Sequence, residues 1–380
     1  MHIRKDRIRE AQELMQARGM AGIMVMNHDD YRYFLGIDRS QPRAIIPWRG
    51  VPVIIAFAGE EPELRQLFEN DEVEIETFTH VGEQIQVVTT RFRQLAGEWK
   101  QANGENEKPE VGMQLWFDTP AFLVEMFRRA NPRVHLVPSD PVMDRLRSVK
   151  DPEELQHLRE AQRVAGLGMD KARLLLRSGV TGHHIATEVL YTMMRAGAEG
   201  TATPVYVNMG PETCMIHGWV SPGTLREEDL VVVDLTPKVR GYGANLTRTF
   251  IIGEPNEWQR KLLDTYQEMI QITRQHLEPG TTVRELDALG KAICERRGLE
   301  AYHIDGISHG IGLRFEETPA STILRKHRNL DLQAGMTMTI GHTILAIPGK
   351  GGVRHEDVYL VTPQGGEILF SYPVDPVIPV

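Results

Sequence analysis

Apolar positions along the chain change their spacing near residue 145. Before that point, strand-length apolar runs alternate with amphipathic helical stretches. A helix is expected to about Arg18, followed by AGIMVM as a buried strand. VPVIIAF, the alternating VEIETF, VGMQLWF and VHLVP read as four more strands, with VVTTRFRQLAGEWKQ as a helix before the last two. Five strands with helices between them predict one open mixed sheet. Beyond residue 145 the pattern turns to long helices followed by β-ribbons. In LRSVKDPEELQHLREAQRV, Asp151 stands as N-cap, Pro152 at the first helical position and Glu154 at the third, which marks a helix start. A second helix (HHIATEVLYTMMRAG) and the strands PVYVNM, LVVVDLTPKV and ANLTRTFIIG follow, then two helices and the strands MTMTIGHTILAI and HEDVYLVTP. The expected domains are 1–145 and 146–380.

Composition narrows the function classes. A chain of 380 residues with 41% hydrophobic and 25% charged positions fits two packed α+β domains, neither disordered nor fibrous. The longest apolar runs, such as Val51 to Ala58, fall well short of a membrane span, and the N-terminal stretch lacks a signal peptide's apolar core. No membrane association and a cytoplasmic location are therefore expected. A formal net charge of −9 with no extended basic run argues against a nucleic-acid partner. Two cysteines, Cys214 and Cys294, exclude a disulfide framework and read as reduced core thiols. Cys214 stands three residues from His217, but nothing nearby completes a cysteine-nucleophile signature.

Four blocks carry the chemistry, in fixed order: MIHGWVSPG, VVVDLTPKVRGYGANLTRTF, SHGIGLRFEETP and MTMTIGHTILAIPGKGGVRHEDVYLVT. Singly, Asp234 reads as a strand-end residue, His309 as a satisfied histidine beside glycines and Glu356 as a surface acid. In combination, from Arg145 to Val380, the blocks resemble the pita-bread metallopeptidase family of prolidases, Xaa-Pro aminopeptidases and creatinase. The phrase DYRYFLGI resembles the opening of that family's smaller α/β creatinase-type N-terminal domain. The resemblance implies a pita-bread C-terminal domain, a hydrolase acting on C–N bonds and a homodimer.

The family's peptidases hold two divalent ions, about 3.5 to 4 Å apart, with two Asp, two Glu and one His. Carried over, these positions are Asp234, Asn245, His309, Gly341 and Glu356, so two of the four carboxylates are missing. Asp234 and Glu356 neutralise one dication between them. At most one ion (Mn, Co or Zn) or none is expected, held by Asp234, Asn245, His309 and Glu356. Returning Asn245 to Asp and Gly341 to Glu is expected to rebuild the dinuclear set. His342 neighbours the lost ligand, but adjacent strand residues face opposite sides.

The resemblance also assigns substrate handling to a His matched by His217 and to a second His whose place is taken by Glu316, followed by Glu317. Two adjacent acids would either raise one pKa for acid/base work or bind a cationic group. The candidate catalytic set is thus His217, Glu316, Glu317 and Arg354, the last from GVRHED. His217, His309, Glu316 and His342 are the candidate substrate contacts. The leading expectation is a creatinase-like C–N hydrolase of a small polar or peptide-like substrate, without a dinuclear centre. The alternative is an Xaa-Pro dipeptidase or aminopeptidase using one ion, and a third reading is a non-catalytic binding protein of the same fold.

Overall fold

The computed structural model describes residues 3–104, 108–117 and 119–379. The chain divides into two compact units, Met1–Leu146 and Arg147–Val380.

In the first unit, helices α1 (Lys5–Ala17), α2 (His28–Leu35), α3 (Glu61–Leu67), α4 (Val81–Asn103) and α5 (Ala121–Ala130) accompany six strands: β1 (Met20–Val25), β2 (Ala44–Pro47), β3 (Val53–Phe57), β4 (Glu74–Phe78), β5 (Glu110–Met113) and β6 (His135–Pro138). The sheet runs β4-β3-β2-β1-β5-β6 and is mixed, since β2 lies antiparallel to both neighbours. Five of the strands coincide with the apolar runs read from sequence. The sixth, β2, has four residues and ends in proline, too short a run to declare its period. Its partners on both sides complete it. Met24, Ile45, Ile55, Phe92 and Val111 meet in the core of this unit.

Helix α6 (Asp140–Arg147) ends the first unit, and α7 (Pro152–Leu175) is the first helix of the second. Asp151 caps α7 as expected: its carboxylate accepts from the Glu154 amide (2.9 Å), and Glu154 accepts from the Asp151 amide (3.0 Å). After α8 (Gly182–Arg195), β7 (Gly200–Thr201) and β8 (Tyr206–Met209) come β9 (Leu230–Leu235), β10 (Pro237–Val239), β11 (Tyr242–Gly243) and β12 (Leu246–Ile252). Strands β9 and β12 are antiparallel, with Asp234 opposite Thr247, and every residue of both is buried. Burial on both faces explains the continuous VVV and FII runs, each such side chain contributing about 1.5–3 kcal/mol. The polar members pair internally: Arg248 reaches Asp357 at 2.8 Å.

Helices α9 (Glu257–Gln275) and α10 (Val283–Arg296) precede β13 (Thr337–Ile340), β14 (Leu345–Ile347), β15 (Gly351–Val353), β16 (Asp357–Thr362), β17 (Gly365–Ile368) and β18 (Val377–Ile378). β13 pairs with β16, and β14 with β15. MTMTIGHTILAI, expected as one strand, is broken. Gly341 has φ +105°, a conformation that a side chain disfavours, and the chain turns there between β13 and β14. Both Gly341 and His342 amides donate to the Ile307 carbonyl, and the Tyr266 hydroxyl reaches the carbonyls of Gly341 and Thr343 at 2.7 and 2.5 Å.

Candidate active site

Strand ends deliver the site. Asp234 lies near the end of β9, Asn245 just before β12, and Glu356 just before β16, where Thr247 and Glu356 exchange backbone hydrogen bonds. His309 arrives on the segment beside β13, its carbonyl accepting from the Thr339 amide (2.8 Å). All four residues are buried. These are the positions at which the sequence suggested metal ligands.

A guanidinium occupies the space between the two surviving strand-end acids. Arg354, fully buried, places Nη1 3.2 Å from Asp234 Oδ2 and Nη2 2.7 Å from Glu356 Oε2, and Nη1 also donates to the Ile216 carbonyl. A fixed cation therefore holds the acids that would face an ion. Burial opposes ionisation of both. The Arg354 charge, and then His342, keep Glu356 well below the usual carboxylate range, whereas Asp234 is left above it. Asn245 buries its carboxamide with neither Oδ1 nor Nδ2 bonded to protein. Gly341 is closed to any ligand: a Cβ there would lie 1.8 Å from the His355 carbonyl oxygen. The expectation that Glu at 341 rebuilds the dinuclear set is therefore corrected; the backbone has no room for it.

His342 departs from the strand rule. Because the chain turns at Gly341, the alternation of faces lapses, and the His342 ring enters the site rather than pointing away. It packs edge-on against His309 (ring centroids 4.7 Å apart) and lies 5.6 Å from His217, with Nδ1 3.4 Å from Glu356 Oε1. Burial pushes its pKa down to about 4 against the pull of Glu356, so it is neutral at pH 7. His217 is exposed at the mouth, near Tyr206. Partial desolvation and then Arg354 lower its pKa, leaving a neutral imidazole capable of accepting a proton.

Glu316 and Glu317 do not act as a pair. Glu316 turns toward the histidines, 4.0 Å from His342 Nε2, with its other oxygen accepting from the Thr322 hydroxyl. Burial raises its pKa, but His309 and His342 outweigh that and the net shift is downward. Glu317 points elsewhere and is held by Arg147 (2.5 Å) and Lys150 (2.6 Å). Despite burial, these cations bring its pKa down to about 2. Its expected catalytic role is corrected to that of a buried ion-pair anchor. Cys214 directs its thiol at the Ile347 carbonyl, and burial raises its pKa, so no thiolate is offered.

The family model for metallopeptidase family M24 matches residues 156–363, more than half of the chain. The chain belongs to metallopeptidase family M24. Family M24 members use divalent ions, and their reaction class, hydrolysis of peptide C–N bonds, comes with the assignment. The creatinase/prolidase N-terminal domain matches residues 7–149 of this M24 chain. An Xaa-Pro dipeptidase of Pyrococcus furiosus is 31% identical over 247 residues, 65% of this chain and 70% of the relative. The uncharacterized peptidase YqhT of Bacillus subtilis is 24% identical over 372 residues, 98% of this chain and 99% of its own length. Dipeptidase PepE from Mycobacterium ulcerans superposes with a TM-score of 0.83 at 25% identity, covering 99% of this chain and 98% of the other. The prolidase from Pyrococcus furiosus does so at 0.80 and 24%, covering 95% and 99%. These likenesses cover both units and make the fold the α+β pita-bread type with a creatinase N-terminal domain. Among the described residues no helix is long and apolar enough to cross a membrane.

The family's two-ion centre does not fit this M24 site. Asp234, Glu316 and Glu356 supply at most three negative charges, and Arg354 returns one positive, leaving at most two against the four of two dications. The remaining donors are nitrogen-rich, with two buried imidazoles beside one carboxylate, unlike a set dominated by oxygens.

Proposed function

We propose that this M24 hydrolase is a dipeptidase of the Xaa-Pro kind that works with at most one divalent ion. The likeness to Xaa-Pro dipeptidases over 65% of the chain supports the reaction class. The observation that carries the rest is the donor set: Asn245 and Gly341 stand at two of the four carboxylate positions, and a Cβ at Gly341 would lie 1.8 Å from the His355 carbonyl oxygen. In this reading water adds to the substrate carbonyl carbon, the C–N bond breaks, and the departing nitrogen receives a proton. His217 carries that proton: its lowered pKa leaves it neutral at pH 7, and it stands at the open edge beside Tyr206 and His342. Such a group accounts for about 10²–10⁴ in rate. Arg354 keeps Glu356 anionic and fixed, and Glu356 in turn orients the His342 ring.

A creatinase-like hydrolysis without any ion is the second reading, favoured by one observation: Glu316, a carboxylate, stands where the resemblance puts a substrate-handling imidazole. The test is a panel of Xaa-Pro dipeptides and small guanidino substrates, assayed with purified protein before and after chelation. Cleavage of Xaa-Pro dipeptides lost on chelation and restored by one equivalent of metal supports the first reading. Unaltered turnover of a guanidino substrate in chelator, with no Xaa-Pro cleavage, overturns it in favour of the second.

A further inference from the structure

Three donors in this site have no counterpart, as a set, in the ligands carried over from the family. His309 is fully buried, and its Nδ1 lies 2.9 Å from the Gly310 carbonyl oxygen. A carbonyl only accepts, so Nδ1 carries the proton and Nε2 keeps its lone pair; that Nε2 is buried with no hydrogen-bond partner. His342 is delivered by the Gly341 turn, and Glu316 by the loop after HGIG. One ligand atom from each of His309, Glu316 and His342 lies within 4.8 Å of the other two.

We propose that His309, His342 and Glu316 form a mononuclear divalent-metal site selective for zinc-like ions over manganese. A tetrahedral ion with bonds near 2.1 Å needs its ligand atoms about 3.4 Å apart. The three ligand atoms lie within 4.8 Å of one another, with Glu316 already 4.0 Å from His342 Nε2 and on a loop, not a strand. Orientation comes from neighbours already in place. Gly310 fixes the His309 tautomer, and Thr322 holds one Glu316 oxygen. His342 Nδ1 lies 3.4 Å from Glu356 Oε1 and 3.2 Å from Arg354 Nη2, and Nε2 faces Glu316 at 4.0 Å. The net charge of at most −2 matches one dication. Two imidazoles and one carboxylate form the donor set of hydrolytic zinc sites, with the fourth position open. Nitrogen donors and the Irving–Williams order place zinc and cobalt above manganese. The site deepens the single-ion reading and rests on it for a role in hydrolysis, although not for its existence.

The experiment uses the full chain, stripped with a chelator and returned to metal-free buffer. Zinc, cobalt and manganese are each titrated calorimetrically, and the visible absorption of the cobalt form is recorded. About one equivalent is expected, with zinc at least tenfold tighter than manganese and an intense low-coordinate cobalt spectrum. His342→Ala and Glu316→Ala should each weaken zinc by tenfold or more, and Asn245→Ala should leave it unchanged. His342→Gln, closer in size, repeats the test should the alanine variant unfold. Two equivalents, equal or better binding of manganese, full affinity in both His342 variants, or no binding overturns the site. One bound zinc without cleavage of any Xaa-Pro dipeptide instead sinks the functional reading and leaves the site standing.

Discussion

Substitution of Gly341 tests the turn that shapes the whole pocket. Its φ of +105° lies outside the range ordinary side chains adopt, which costs on the order of 1–3 kcal/mol for a non-glycine residue. A new Cβ would also lie 1.8 Å from the His355 carbonyl oxygen and 2.9 Å from Ile270 Cδ1. The first neighbour is backbone and cannot rotate away, and overpacking of this kind adds about 1–3 kcal/mol. Gly341→Ala should therefore cost roughly 2–6 kcal/mol. For a unit of this size each kcal/mol shifts Tm by about 2–4 °C, so a fall near 10 °C is expected by scanning calorimetry. Gly341→Glu should do at least as much and should bind no second ion. A Gly341→Ala protein with an unchanged Tm would refute the reasoning. So would a stable Gly341→Glu, Asn245→Asp protein that takes up two manganese ions.

Four further outcomes follow from the same geometry. Arg354→Met leaves Asp234 and Glu356 buried without their cation and should lose about 3–5 kcal/mol in chemical denaturation, a loss below about 1 kcal/mol counting against the pairing. Glu317 has its pKa depressed from 4.5 to about 2, so its contribution of about 3 kcal/mol is present above pH 4.5 and lost as pH falls toward 2. Urea midpoints of Glu317→Gln should accordingly fall less steeply than the parent's between pH 5 and pH 2, and parallel curves would remove the ion pair from the acid response. His217→Ala should lower kcat by about 10²–10⁴ with little change in Tm, and the parent's acid limb in kcat/KM should lie below the ordinary histidine value of 6.5; unchanged kcat eliminates the proton-transfer role. We also expect a homodimer by light scattering at micromolar concentration, and a stable monomer overturns that.

Much of this architecture was legible along the chain because it depends on local pattern. The α7 start at Asp151, Pro152 and Glu154 is written in three neighbouring residues, and the doubly buried β9 shows as an unbroken apolar run. What escaped depends on distance or on one dihedral. Glu317 looks equivalent to Glu316 in sequence, yet its partner Arg147 lies 170 residues earlier, and that contact decides which way the carboxylate points. Strand alternation argues against His342 as a substitute metal ligand, while leaving it a candidate substrate contact, and that rule holds only while the backbone stays extended. One glycine with positive φ cancels it. Arg354 was picked out by its motif, but nothing in GVRHED says that its guanidinium reaches both Asp234 and Glu356. A short strand such as β2 shows itself only through the strands that pair with it.

The position of Arg354 bears on how the protein matures. Where several bare carboxylates converge, their mutual repulsion couples folding to capture of ions, and an apo chain is left frustrated. Here the counter-charge is part of the polypeptide and arrives with translation, on the short segment between β15 and β16 that also carries Glu356. The β9, β12 and β16 ends can come together in a cell starved of transition metals, with any ion exchanged afterwards at a finished pocket. Folding of these strand ends is thereby expected to proceed without metal.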